Sequence, residues 1–258
     1  MTADMFRLDG KVVVVIGAGS GIGEACAEAI GAQGARTVCL DLKEDRAAAV
    51  AALITSAGGR AESGMLDLVD GAATAAALEK VVTDHGRLDG LVCTPAINVR
   101  KPILKYSLEE FDTVVSLNLR GNFAALMAAG RIMTRQKSGS IILFSSIRSL
   151  VTEPGQSVYS MTKAGIVQLA KTAATEWAQY GVRVNAIGPG VVETPLTGPI
   201  KANPDWYSAY AKKNPMNRWA QAREMAGPTV FLLSDAASYV TGTILFADGG
   251  WLAADGRF

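Results

Sequence analysis

The sequence predicts an α/β protein built on a doubly wound parallel sheet, and three observations carry that reading. Val12 to Ile16 is a short, continuously apolar, β-branched run bounded by glycine, as a central strand covered on both faces requires. A glycine-rich loop, Gly17-Ala18-Gly19-Ser20-Gly21-Ile22-Gly23, follows directly. An alanine-rich stretch at helical spacing then runs over 24–33 until Gly34 stops it. Beyond this unit, short apolar runs alternate with helical patterns to the end of the chain, so each strand can be followed by a helix that crosses to the next parallel strand. The ligand crevice of such a sheet lies at the carboxyl ends of its strands.

The remaining elements follow in order. Residues 37–40 read as the second strand, 45–57 as an alanine-rich helix and 64–68 as the third strand. Asp70 is placed to cap a helix running to about residue 84, and 88–93 form the fourth strand. Ser107-Leu108-Glu109-Glu110 is a capping box that opens one long helix through Leu119 to about residue 135. Residues 141–144 are the fifth strand; a helix carrying Tyr159 and Lys163 ends at Gly181, and 182–187 are the sixth strand. Residues 195–217 contain four prolines, Trp206, Tyr207 and Tyr210 and no clear periodicity, the pattern of a lid over a site. A helix over 224–234 and a strand over 243–247 complete the series. No repeat, low-complexity tract or linker interrupts it, so 1–258 reads as a single domain.

Composition excludes several classes of function. With 49% apolar residues among 258, the chain can bury a substantial core. Lys plus Arg number 25 against 24 Asp plus Glu, which leaves no electrostatic footprint for nucleic acid or an anionic membrane. Cys26, Cys39 and Cys93 are odd in number and set among apolar residues, which suits buried thiols in a reducing cytoplasm. No signal-peptide core occupies the first ten residues and no apolar run reaches the ~20 residues of a membrane span, so a cytoplasmic location is expected. The single histidine, His85, excludes a serine–histidine triad placed elsewhere and a histidine-rich metal site; no metal is expected.

The chemistry resides in a few side chains. Gly17, Gly21 and Gly23 permit a tight turn, close approach of backbone to a pyrophosphate and close packing of helix on strand, and the N–H groups around Ser20 and Ile22 can hold phosphates. Asp41 ends the second strand eighteen residues after Gly23, where a carboxylate accepts hydrogen bonds from an adenosine ribose and repels a 2′-phosphate. No basic residue lies between Gly17 and Gly21 to offset that charge, so NAD is favoured over NADP. Lys43 and Arg46 either soften the preference or are solvated charges opening the next helix. Tyr159 and Lys163, four apart on a helix, share a face. A phenol deprotonates near pH ~10, and a neighbouring cation favours the phenolate, which suits general-base work. Ser146, thirteen residues upstream of Tyr159 at a strand end, can donate to a substrate oxygen.

The glycine loop, Asn118 in Leu117-Asn118-Leu119-Arg120-Gly121, and Tyr159-Ser160-Met161-Thr162-Lys163, in this order, resemble the short-chain dehydrogenase/reductase family over nearly the whole chain. That resemblance implies a Rossmann-type fold and further roles. Asn118 would help hold a water that links Lys163 to solvent, and Lys163 would also bind the nicotinamide ribose. Asp67 would lie near the adenine, with Leu42 and Leu68 beside the nucleotide. Pro189-Gly190-Val191-Val192-Glu193-Thr194 would wrap the nicotinamide, with Thr194 near its carboxamide. The family's usual Asn-Asn-Ala-Gly after the fourth strand is replaced by Cys93-Thr94-Pro95-Ala96, so Thr94 would supply hydrogen bonding by a different backbone path. A homotetramer is implied, with Arg257-Phe258 reaching a neighbouring subunit.

The reaction expected is NAD-dependent oxidation of a secondary alcohol. Three rivals stand beside it. A 3-oxoacyl reductase would share the tetrad but mostly uses NADPH, an extended-branch epimerase or dehydratase would need more carboxyl-terminal chain, and a non-catalytic NAD sensor would not need Ser146, Tyr159 and Lys163. The substrate is expected to be anionic: Arg148, two residues after Ser146, can hold a carboxylate through paired hydrogen bonds, with Gln156, Trp206, Arg100 and Tyr207 completing a polar pocket. Alternatively Arg148 pairs with Glu153. The 97–102 stretch and the Arg148 region are similar to those of dehydrogenases acting on 2-keto-3-deoxy sugar acids.

Overall fold

The computed structural model describes residues 4–255; the expected subunit contact of Arg257 and Phe258 lies outside the described residues. Along the chain run β1 (Val12–Ile16), α1 (Gly21–Ala32), β2 (Arg36–Asp41), α2 (Glu44–Ser56), β3 (Arg60–Met65), α3 (Gly71–His85) and β4 (Gly90–Cys93). There follow α4 (Leu108–Val115), α5 (Asn122–Gln136), β5 (Gly139–Phe144), α6 (Ser157–Trp177) and β6 (Val182–Pro189). The last part holds β7 (Val192–Glu193), α7 (Gly198–Lys201), α8 (Pro204–Ala211), β8 (Ala220–Gln221), α9 (Ala226–Leu233) and β9 (Ile244–Ala247). Seven strands form one sheet in the order β3-β2-β1-β4-β5-β6-β9, every neighbouring pair parallel. This is a single-domain, Rossmann-type α/β fold.

Because side chains alternate across a strand, the sheet feeds two cores. Val12, Val14 and Ile16 join Leu91, Cys93, Ile141 and Leu143 against Leu78 of α3, Leu126 of α5 and Ile166 of α6. Val13 and Val15 join Val92, Ile142 and Phe144 against Ile30 of α1, Ile54 of α2 and Leu232 of α9. Helices on both faces explain why β1 is apolar throughout. Among the described residues no helix is long and apolar enough to cross a membrane.

Three elements differ from expectation. The third strand covers Arg60–Met65 and not 64–68. It is an edge strand with an exposed and half-buried pattern, so its sequence carries little apolar signal; Leu66 and Leu68, which do, are buried just beyond its end. The helix expected to run unbroken from the Ser107 capping box is interrupted by a π-helical turn over Ser116–Gly121, between α4 and α5. Asn122 Nδ2 donates to the Leu117 and Asn118 carbonyls at 3.3 and 3.1 Å, satisfying acceptors that the wider turn leaves behind. Within 195–217, α8 does form, its start fixed by Asn203, whose side chain accepts from the Asp205 and Trp206 N–H groups.

Parallel register brings the functional positions to one edge. Ile16 lies beside both Leu40 and Cys93, Cys93 beside Leu143, and Phe144 beside Ile187. The residues that follow these strand ends therefore surround a common crevice.

Candidate active site

The glycine loop sits at the carboxyl end of β1, and its glycines are required by space. A Cβ on Gly23 would lie 1.9 Å from the Gly17 carbonyl oxygen, so any side chain there would push α1 off the loop. Gly17 has φ +81, and a Cβ on it would lie 2.5 Å from Thr94 Oγ1 and 2.9 Å from Pro95 Cγ. Thr94 donates its hydroxyl to the Ile16 carbonyl at 3.0 Å, so the Thr94-Pro95 departure packs directly on the loop. Ser20, the N-cap of α1, is extended, and its side chain makes no capping bond.

A cleft of about 480 Å³ opens here, lined by Gly17, Ser20, Gly21, Ile22, Gly23, Asp41, Leu42, Asp67, Leu68, Thr94 and Thr194. Asp41 is held by two backbone donors: Gly19 N–H at 2.9 Å and Lys43 N–H at 2.9 Å, one to each carboxylate oxygen. Lys43 and Arg46 line the same cleft, along with Leu66, Ala96 and Ile97, to which the sequence assigned no cofactor contact. Ile97 follows the altered 93–96 segment, and Leu66 lay inside the misplaced third strand.

A narrower cleft of about 90 Å³ adjoins it, sharing Ile22, Thr94, Ala96 and Thr194. Ser146, Tyr159, Lys163, Pro189, Gly190 and Val192 line it. Thus every residue expected to hold the cofactor faces one of two continuous spaces. A surface groove of about 1220 Å³ is larger but runs along α1 and the end of α2; of the residues expected at the site, only Gly21 touches it.

Lys163 is 2% exposed, and its ammonium donates to the Phe144 carbonyl at 2.7 Å while lying 5.6 Å from the centre of the Tyr159 ring. Burial pulls its pKa down to about 8, with the nearby Cys93 acting weakly the other way. Burial likewise raises the Tyr159 phenol above its ordinary value; a hydrogen bond with Ser146 and the charge of Arg148 oppose that rise. The expected lowering by Lys163 is not found: desolvation raises this phenol, and the groups that oppose the rise are Ser146 and the cation of Arg148. The two serines divide their work. Both line the narrower cleft, but Ser145 Oγ donates to the Lys163 carbonyl at 2.8 Å and braces α6, whereas Ser146 Oγ accepts from Arg148 N–H at 3.1 Å and bonds with the Tyr159 phenol.

Asn118 is fully buried in the π-helical turn. Its side chain accepts from Ile97 N–H at 2.9 Å and donates to the Ile97 carbonyl at 2.8 Å, clamping the loop after β4 against the helix. It also donates to Thr162 Oγ1 at 3.3 Å, which links it to α6 beside Lys163.

The three residues expected to bind substrate line neither cleft. Arg148, with only 7% of its side chain exposed, is ion-paired with Glu153 at 3.0 Å, the alternative the sequence left open, and its guanidinium lies 5.5 Å from the Trp251 ring centre. Gln156 donates to Glu153 and accepts from Asn98 Nδ2 at 3.3 Å. Trp206, 46% exposed, lies 5.5 Å under the Arg100 guanidinium. Tyr207 is turned to Glu193 at 3.0 Å and stacks on Trp219, away from this group. Tyr210 takes its place, bonded to Glu153 and to Arg100. Its helical spacing, four after Trp206, was the available signal.

A family model described as Enoyl-(Acyl carrier protein) reductase matches residues 17–252. A D-threitol dehydrogenase of Mycolicibacterium smegmatis is 37% identical over 246 residues, 95% of this chain and 94% of that protein. A 3-oxoacyl-(acyl-carrier-protein) reductase of Thermotoga maritima is 34% identical over 95% of this chain and 98% of that one. The crystal structure of a gluconate 5-dehydrogenase from Burkholderia cenocepacia, in complex with NADP and tartrate, superposes with a TM-score of 0.94 at 32% identity, covering 98% and 99% of the two chains. The chain belongs to the short-chain dehydrogenase/reductase family. It is an oxidoreductase acting on CH–OH groups.

Proposed function

We propose that the protein is an NAD-dependent dehydrogenase that oxidises a secondary alcohol of a sugar-derived hydroxy or keto acid. The observation that carries this reading is the meeting of Ser146, Tyr159 and Lys163 in a cleft continuous with the glycine loop and Asp41. The residues present suit a dinucleotide, because the glycine loop, which lacks side chains at Gly17, Gly21 and Gly23, lines one cleft together with the backbone-held carboxylate of Asp41. When bound, the nicotinamide takes up hydride from the alcohol carbon.

The chain's own groups manage the proton and the charge. Ser146 donates to the substrate oxygen and orients it. Tyr159 accepts the hydroxyl proton through its phenol oxygen, and Arg148 makes the phenolate less costly. Lys163 holds the nicotinamide ribose and, through Asn118, belongs to the proton path. Asp41 receives the adenosine ribose; its charge disfavours a 2′-phosphate, which supports NAD, although Lys43 and Arg46 share the cleft. Asp67, Leu68, Thr94 and the 189–194 segment complete the cofactor site, and 195–217 act as the lid.

An anionic substrate is supported by two guanidinium groups, Arg148 and Arg100, that meet on Glu153. The relatives include sugar-alcohol and gluconate dehydrogenases. A homotetramer in the cytoplasm belongs to the same proposal, in line with three buried free thiols and with the half-exposed Phe123 on α5. A 3-oxoacyl reductase is the second reading, favoured by the Thermotoga maritima relative. A panel of polyols, sugar acids and acyl thioesters, scored by NADH or NADPH absorbance, separates them. Activity confined to NADPH and acyl thioesters would replace the first reading by the second.

A further inference from the structure

One carboxylate gathers four segments beside the catalytic residues. Glu153 receives Arg148 from the turn after β5, Arg100 at 2.8 Å from the loop after β4, Tyr210 from α8, and Gln156 just ahead of α6. Burial raises its pKa, but the three partners on Oε1 and the one on Oε2 outweigh that and hold it below the ordinary carboxyl value. Arg148 is buried and Arg100 is only 26% exposed, so neither guanidinium is free to swing into solvent. Next to Gln156, the Asn98 side-chain oxygen is buried and has no hydrogen-bond partner, an acceptor left unsatisfied.

The charges in this group do not cancel. Two guanidinium groups face one carboxylate, which leaves one positive charge in a partly desolvated space where it is poorly screened. A neutral alcohol leaves that charge uncompensated. A singly charged acid cancels it, and a dicarboxylate overshoots to a net negative charge. We propose that Glu153 is a specificity-determining residue that sets the accepted substrate at one carboxylate, with Asn98 accepting from a hydroxyl of the same molecule. This rests on the proposed oxidation of a hydroxy acid and deepens it; Glu153 touches no reacting atom.

The test uses the whole enzyme with NAD and three substrates of one carbon skeleton: a polyol, its aldonic acid and its aldaric acid. For the wild type, kcat/KM is expected to be highest for the aldonic acid. In Glu153→Gln the group carries two positive charges, and the aldaric-to-aldonic ratio of kcat/KM is expected to rise by ~10-fold or more. The double variant Glu153→Gln with Arg100→Gln restores one positive charge and is expected to return the ratio toward the wild type, which a mere loss of packing would not do. Calorimetric binding of a monocarboxylate and a dicarboxylate to the enzyme–NADH complex gives the same comparison without turnover. An unchanged ratio in Glu153→Gln, with the wild type oxidising these alcohols, overturns the inference alone. A wild type that turns over none of them with NAD overturns the proposed function and this inference together.

Discussion

The Lys163 ammonium donates to the carbonyl of Phe144, the last residue of β5, at 2.7 Å. A cation so enclosed is disfavoured by desolvation, which brings its pKa from 10.5 to about 8. The unfolded chain therefore binds the proton more tightly than the folded one. Below pH ~8 both states are protonated and the full cost of burial is present; as pH rises through the folded value the cost is relieved, up to the unfolded value. Relative to Lys163→Met, the wild type is expected to gain about 1 kcal/mol of stability between pH 7 and pH 9. Taking the difference cancels the three thiols, whose values burial pushes up to about 12 and which act in the opposite direction above pH ~9. Denaturant melts of both proteins across that range measure it; parallel curves would mean Lys163 is not buried as a charge.

Tyr159→Phe removes the phenol oxygen and keeps the ring. Turnover is expected to fall ~10²-fold or more, with NADH binding little changed by fluorescence titration. Retention of most activity would remove Tyr159 from the role of base.

Asp41 meets the Gly19 and Lys43 amides, so its carboxylate stands fixed at the edge of the nucleotide cleft. The wild type is expected to prefer NAD in kcat/KM. Asp41→Ser should lower the NAD-to-NADP ratio by about 10-fold, since the hydroxyl lacks the charge that repels a 2′-phosphate. Equal use of both cofactors by the wild type would take this discrimination away from Asp41.

Gly23→Ala places a methyl 1.9 Å from the Gly17 carbonyl oxygen, a contact that only backbone movement can relieve. A loss of about 1–3 kcal/mol and a sharp loss of NADH affinity are expected. Thermal melts with and without NADH check both, and NADH should no longer raise the melting temperature.

Legibility in the sequence followed how local each signal was. β1 and its glycine loop could be read because an unbroken β-branched run and fixed glycine spacings lie within a dozen residues. Tyr159 and Lys163 could be paired because helical spacing alone puts them on one face. β3 was shifted because edge exposure removes the apolar pattern on which strand assignment depends. The π-helical turn at Asn118 has no composition of its own, and the Ile97 backbone that the Asn118 side chain bonds lies 21 residues away. Glu153 escaped notice as a hub because its partners Arg100 and Tyr210 lie 53 and 57 positions away in sequence, counted from residue numbers, and come from different loops and helices.

The alternation along β1 reaches beyond the active site. Val12, Val14 and Ile16 are stitched into one apolar layer, Val13 and Val15 into the other, and β4 and β5 repeat the pattern. Each layer thus borrows half of its wall from strands whose opposite faces the other layer needs. The two layers therefore share one backbone ladder, and opening either face loosens the strands on which the other is hung. A destabilising change on either face of the sheet is therefore expected to weaken the whole of it.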